Sequence, residues 1–123
     1  MTAADLMLRD PKTLSTEASV GEARELLANP KVQMVLLADG RAFKGAVTHI
    51  PADASARDRA VNYVDPDAEV ISPQASDEEA FERAAANPQR RVIVLDEAKN
   101  LLGLLCLNPS RTGFCTGDPR SCS

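Results

Sequence analysis

The side chains in this sequence that could do chemistry are few and scattered. His49 is the one histidine, and no serine or cysteine lies beside it in sequence to be activated by it. Cys106, Cys115 and Cys122 form an odd set bunched near the C-terminal end. Cys115 and Cys122 stand seven apart rather than in the Cys-x-x-Cys spacing of a zinc knuckle. That leaves a metal site, a disulfide in the tail, or thiols without a role, and the last is expected. Asp77-Glu78-Glu79 with Glu82 has a density of carboxylates that acid–base work would need. It lies at a helix start, however, where the macrodipole favours negative charge. Arg90-Arg91 beside Gln89 offers guanidinium forks to a phosphate, or else a solvated hairpin edge. The six glycines are scattered at turns, with no phosphate-cradling loop among them. The expectation is a protein that is not an enzyme and holds no metal or cofactor.

Composition narrows the class further. The 123 residues are enough for one domain, or for two small halves sharing a core. With 44% hydrophobic and 26% charged residues the chain is an ordinary globule rather than a disordered tail. Its aromatics are only Phe43, Phe81, Phe114 and Tyr63, so the core is built from Ala, Val, Leu and Ile. A net charge of −4 disfavours nucleic-acid binding, whose affinity rests on phosphate neutralisation. No apolar run approaches the roughly 20 residues of a membrane span. Met1-Thr2-Ala3-Ala4-Asp5 lacks the basic and apolar regions of a signal peptide. A soluble, cytoplasmic protein is expected.

The elements that must position these residues come in two copies. Asp10-Pro11 and Asp65-Pro66 open them, and Ala18-Ser19-Val20-Gly21-Glu22-Ala23 aligns with Ala75-Ser76-Asp77-Glu78-Glu79-Ala80 at an offset of 57. Asn29-Pro30 then aligns with Asn87-Pro88 at 58. Met34-Val35-Leu36-Leu37 is matched with Val92-Ile93-Val94-Leu95, Gly45 with Gly103 and Pro51 with Pro109, all still at 58. Ser19-x-x-Glu22 and Ser76-x-x-Glu79 are capping boxes, followed by apolar residues at helical spacing. Asn before Pro ends each helix. Apolar runs at 32–37 and 92–95 predict strands. Asp39-Gly40 predicts a tight turn into a strand at 42–47, and 97–100 a looser turn into a strand at 101–107. Thr13-Leu14 and 69–71 read as short strands ahead of the helices. Residues 54–64 read as a linking helix with Ala56, Ala60, Val61 and Val64 on one stripe. Leu36, Val47, Val94 and Leu105 are expected in the core.

This order, length and duplication resemble the cystathionine-β-synthase (CBS) domain pair. The likeness runs through Asp5-Leu6-Met7, Asp10-Pro11, Thr13-Leu14-Ser15, Ser19-x-x-Glu22-Ala23, Leu26-Leu27, Val35 to Gly40, and Gly45-Ala46-Val47-Thr48. It covers about residues 3 to 109. It implies an α/β fold of two β-α-β-β-α repeats in pseudo-twofold arrangement, the second without its last helix. The implied division is 1–64 for the first repeat with the linking helix, 65–110 for the second repeat and 111–123 for a tail. Phe114 in that tail packs back on the core or covers the second cleft, and packing is preferred.

The resemblance also implies a ligand, an adenine nucleotide of the AMP, ADP or ATP type, held in a cleft between repeats. The family's strand-end word is Gly, two apolar residues, Ser or Thr, two variable residues, then Asp. Gly45-Ala46-Val47-Thr48 keeps its glycine and hydroxyl, with Pro51 where the Asp belongs and Asp53 two residues later. The second copy, Gly103-Leu104-Leu105-Cys106 with Pro109, has neither hydroxyl nor carboxylate. The cleft residues implied are Thr13, Leu14, Val47, Thr48 and Asp53 on the first-repeat side, where the following helix could turn its N-terminus to an anion. On local grounds alone Thr48 is an ordinary strand residue and Asp53 a turn or helix cap. Two functions follow: a regulatory ligand sensor that forms a homodimer, or a purely structural dimerisation module with degenerate clefts.

Overall fold

The computed structural model describes residues 1–9, 11, 13–29, 32, 34–108 and 113–114. Pro109, Cys115 and Cys122 lie outside the described residues. The elements in chain order are α1 (Ala3–Leu6), β1 (Leu8–Arg9), β2 (Thr13–Leu14), α2 (Val20–Leu27), β3 (Val35–Asp39) and β4 (Ala42–Val47). A 3-10 turn (Ala60–Tyr63), β5 (Val70–Ile71), α3 (Asp77–Ala86), β6 (Arg91–Leu95) and β7 (Leu101–Cys106) follow. The serines start both long helices. Ser19 Oγ accepts the Glu22 amide at 3.2 Å, and Ser76 Oγ accepts the Glu79 amide at 3.2 Å.

The strands form two sheets, β2-β3-β4 and β1-β7-β6-β5. In each, a strand ahead of the helix runs parallel to the next strand, and a hairpin then folds back antiparallel. The inner faces meet through Met34, Leu36 and Ala46 from one repeat and Ile93 and Leu104 from the other. The hairpin tips are joined as well, since the Phe43 amide donates to Lys99 O at 3.1 Å and Leu101 to Arg41 O at 2.7 Å. On the outer faces Val35, Leu37 and Val47 pack against Ala23 of α2, and Val92, Val94 and Leu105 against Ala80 and Ala84 of α3. The four residues expected in the core are there, with Leu36 at 2% exposure and Val47, Val94 and Leu105 at 0%.

Residues 54–64 do not form the expected linking helix; among them only Ala60–Tyr63 is helical, as a 3-10 segment. The reason is competition for their carbonyls. Asp58 O accepts the Val20 amide at 2.7 Å and Ala56 O that of Gly21 at 3.1 Å, so these two carbonyls cap the first turn of α2 rather than serve a helix of their own. With no helix following Pro51, no helix N-terminus is available there for an anion.

The N-terminus repeats this arrangement 57 residues earlier. Met1 O accepts the Asp77 amide at 3.1 Å, and the Ala3 amide donates to Ala75 O at 2.9 Å, as Ala60 donates to Ala18 O at 2.9 Å. Thr2 bridges Ser76 as Arg59 bridges Ser19. The segment that closes the second repeat therefore comes from the start of the chain, with Ala3 and Ala60 both at 0% exposure. Phe114 joins the same side: Leu107 bridges it, and its ring meets Phe81 edge-on with centroids 6.4 Å apart. That is the packed-back placement.

The offset of 58 assigned to the central strands needs correcting. Leu36 pairs with Ala46 and Ile93 with Leu104, so the counterpart of Leu36 is Ile93, at 57. Both strands bulge at equivalent places, between Leu37 and Ala38 and between Val94 and Leu95. The slip arose because both runs are apolar on both faces, so no alternation marks which residue points which way. The glycines of the two copies also match. A Cβ on Gly45 would sit 2.5 Å from Val64 Cγ1, and one on Gly103 2.6 Å from Met7 Sδ. These glycines let the closing segment approach the sheet.

Candidate functional site: the first-repeat cleft

Thr48 follows β4, and its Oγ1 donates to Asp65 Oδ2 at 2.9 Å. The Asp65 amide donates to Ala46 O at 2.7 Å, and Asp65 Oδ1 accepts the Asp67 amide at 2.8 Å. Asp65 thus fastens the start of the second repeat to the end of β4. By the internal symmetry, the counterparts of this polar pair are Cys106 and Leu8, which form a buried apolar contact. Burial pushes the Cys106 thiol up from its ordinary value, and the nearby charges of Arg91 and Arg90 pull partly back. Burial also lowers the Arg91 guanidinium.

Beside Thr48 a cleft of about 400 Å³ opens between the C-terminal half of α2 and the exit of β4. Arg24, Leu27, Ala28, Val32, Thr48, His49 and Ile50 line it. Arg24 is held from one side. Its Nη2 donates to Pro51 O at 2.7 Å, Ala54 O at 2.8 Å and Ala52 O at 3.3 Å, which fixes the turn at 51–54 against α2. Further along, the Tyr63 hydroxyl donates to Asp58 Oδ2 at 3.0 Å, which raises the phenol above its ordinary value. A second cavity, about 780 Å³, lies at the other end of the second repeat among 70–74 and 95–99.

The lining of the cleft beside Thr48 comes from the first repeat alone, so it is not the cleft between repeats that the resemblance implies, and of the five residues expected there Thr48 lines it. Val47 lies beneath it in the core. Thr13 and Leu14 pair with Leu36 and Leu37 in the sheet, and Leu14 packs into the core under α2. Asp53 is exposed in the 51–54 turn. His49 does line the cleft. The residues that sequence reasoning missed are Arg24, Leu27, Ala28, Val32, Ile50 and Asp65. Asp65 was visible as a repeat-opening residue but nothing local ties it to Thr48. Arg24 stands beside the apolar stripe of α2, and that placement was the available signal.

With this geometry, comparison with known proteins is direct. Residues 3–50 match the family model of the CBS domain. The chain has the fold of a CBS-domain pair. Its described architecture superposes on CBS-pair protein CBSX2 from Arabidopsis thaliana with a TM-score of 0.71 and 20% identity, covering 85% of this chain and 87% of that one. CBSX2 solved in complex with AMP gives 0.69 at 19% identity, covering 89% and 91%. A CBS domain pair/ACT domain protein from Thermotoga maritima gives 0.69 at 20% identity, covering 85% and 88%. No curated protein sequence matches the chain. Among the described residues no helix is long and apolar enough to cross a membrane, and no cluster of side chains could hold a metal.

Proposed function

We propose that this CBS pair is a regulatory module rather than an enzyme, that it takes an adenine-nucleotide-type ligand in the first-repeat cleft, and that it works as a homodimer. The observation that carries the reading is the two-sided cleft. Arg24 offers a guanidinium and His49 an imidazole, facing apolar walls of Leu27, Val32 and Ile50, in a volume of about 400 Å³. The AMP complex of CBSX2, a protein of the same fold, supports it. Phe81, exposed on α3, supports a contact with a second copy. With Pro51 in place of the family's carboxylate and Asp53 in the solvent, AMP, ADP and ATP should all bind without a carboxylate on the ribose. Calorimetry with AMP, ADP and ATP tests the reading, and the absence of heat at millimolar nucleotide would sink it.

The structural-module reading has its own support. The hydroxyl proton of Thr48 is committed to Asp65, and the equivalent place in the second repeat is filled by Leu8 and Cys106. A silent nucleotide titration leaves that reading standing.

A further inference from the structure

We infer that Arg24 is the residue that docks the anionic group of the ligand, and that it couples the cleft to the segment strapped across α2. This rests on the proposed ligand reading and names its specificity residue. Arg24 is the cationic side chain that both lines the cleft and holds the 51–54 turn. Three carbonyls converge on Nη2 and use its two protons. Nε and Nη1 make no hydrogen bond or ion pair among the described residues. One end of the guanidinium is therefore anchored, while the N–H donors at the other end meet no acceptor among the described residues. A guanidinium already fixed in place loses little further freedom when a phosphate or carboxylate arrives, and a charge-assisted hydrogen bond to it is among the stronger kinds.

The anchor continues into the fold. From the 51–54 turn the chain passes to Ala56 and Asp58, whose carbonyls cap Gly21 and Val20 at the start of α2. The strap from 51 to 60 is thus held to α2 at both ends of the helix, by Arg24 and by those caps. Most of its side chains are exposed. Because anion and strap share one guanidinium, each favours the arrangement the other needs. Linkage requires the effect to be reciprocal. The anion then stabilises a surface segment that a partner can read.

The test uses adenosine 5′-monophosphate, adenosine and inorganic phosphate with the full chain. The wild type should bind AMP at least tenfold more tightly than adenosine, with inorganic phosphate competing against AMP. Hydrogen exchange should show slower amides across 52–60 with AMP and no change with adenosine. Arg24→Gln should weaken AMP ten- to a hundredfold while leaving adenosine within twofold. Arg24→Lys keeps the charge without the guanidinium fork. It should retain part of the preference for AMP yet lose the exchange protection, which also guards against a variant that merely misfolds. Equal binding of AMP and adenosine, unaltered in Arg24→Gln, would overturn the role of Arg24 and leave the ligand reading intact. Failure of both adenosine and AMP to bind the wild type would overturn the two together.

Discussion

Gly103→Ala should damage this fold although it adds a single methyl group. The new Cβ would meet Met7 Sδ at 2.6 Å, Leu8 O at 2.7 Å and Met7 Cγ at 2.8 Å. The methionine can swing aside, but Leu8 O belongs to β1, which pairs with β7 at this position. To restore ordinary contact at 3.4 Å, the strands must part by about 0.7 Å. Overpacking of this kind costs about 1–3 kcal/mol. For a domain of this size, that lowers Tm by about 4–10 °C. The matched control is Gly21→Ala in α2, whose Cβ would land 3.5 Å from Ala56 Cβ and Ala56 O, an ordinary contact. Replacing a helical glycine at an unstrained place stabilises by about 0.4–1 kcal/mol. Thermal melts by circular dichroism, with urea titrations to give the free energies, read both variants. An unchanged Tm for Gly103→Ala would refute the docking of β1 on β7. A loss for Gly21→Ala as large as that for Gly103→Ala would refute the spacing assigned to the strap.

Leu36→Ala, at the contact between the two sheets with 2% exposure, should cost about 2–5 kcal/mol in urea unfolding; under half a kilocalorie would place it outside the core. Thr48→Val removes the 2.9 Å bond to Asp65 and should cost about 1 kcal/mol while leaving AMP affinity within twofold, whereas a tenfold loss in calorimetry would put Thr48 on the ligand. The Asp96 carboxylate accepts from the Asn100 amide and side chain and from the Ala98 amide, which holds it below its ordinary value of 3.8. A carboxylate lowered by folding stabilises above its unfolded pKa, and that stability is lost as pH falls through the folded value. Melts should therefore drop as the pH is taken below about 4, and Asp96→Asn should flatten that drop; an equally steep drop in the variant would count against it. Light scattering at tens of micromolar should give twice the chain mass, and a monomer would remove the homodimer from the proposal.

How much was legible in the sequence follows from what kind of signal each part carries. Capping serines and Asn-Pro stops are local, and Ser19 and Ser76 start their helices where the pattern puts them. The β-branched runs gave the strands but not their register, because a strand buried on both faces has no alternation to fix it. The stripe at 54–64 misled because its carbonyls are worth more to the open first turn of α2 than to a helix of their own. The closing role of residues 1–9 was hidden for a related reason, since their partners lie near 75 and 103–104. The cleft suffered most. Thr48 was found by its place after Gly45, but Asp65 and Arg24 reach that corner only through tertiary folding, and the family's strand-end word pointed to Asp53 instead.

The pairing of β1 with β7 ties the first nine residues to a strand that begins only at Leu101. On the ribosome those residues are made well before β7 and wait for it, unpaired. The first repeat can assemble from contiguous chain in the meantime, but the second cannot be closed until its returning piece is free to dock. Such long-range closure slows folding and leaves a short strand edge open while it lasts. Once made, it has the opposite effect, because neither repeat can then be pulled away without undoing the other. Topologically the described residues form two arcs, each locked by the stretch of chain that leads into the other.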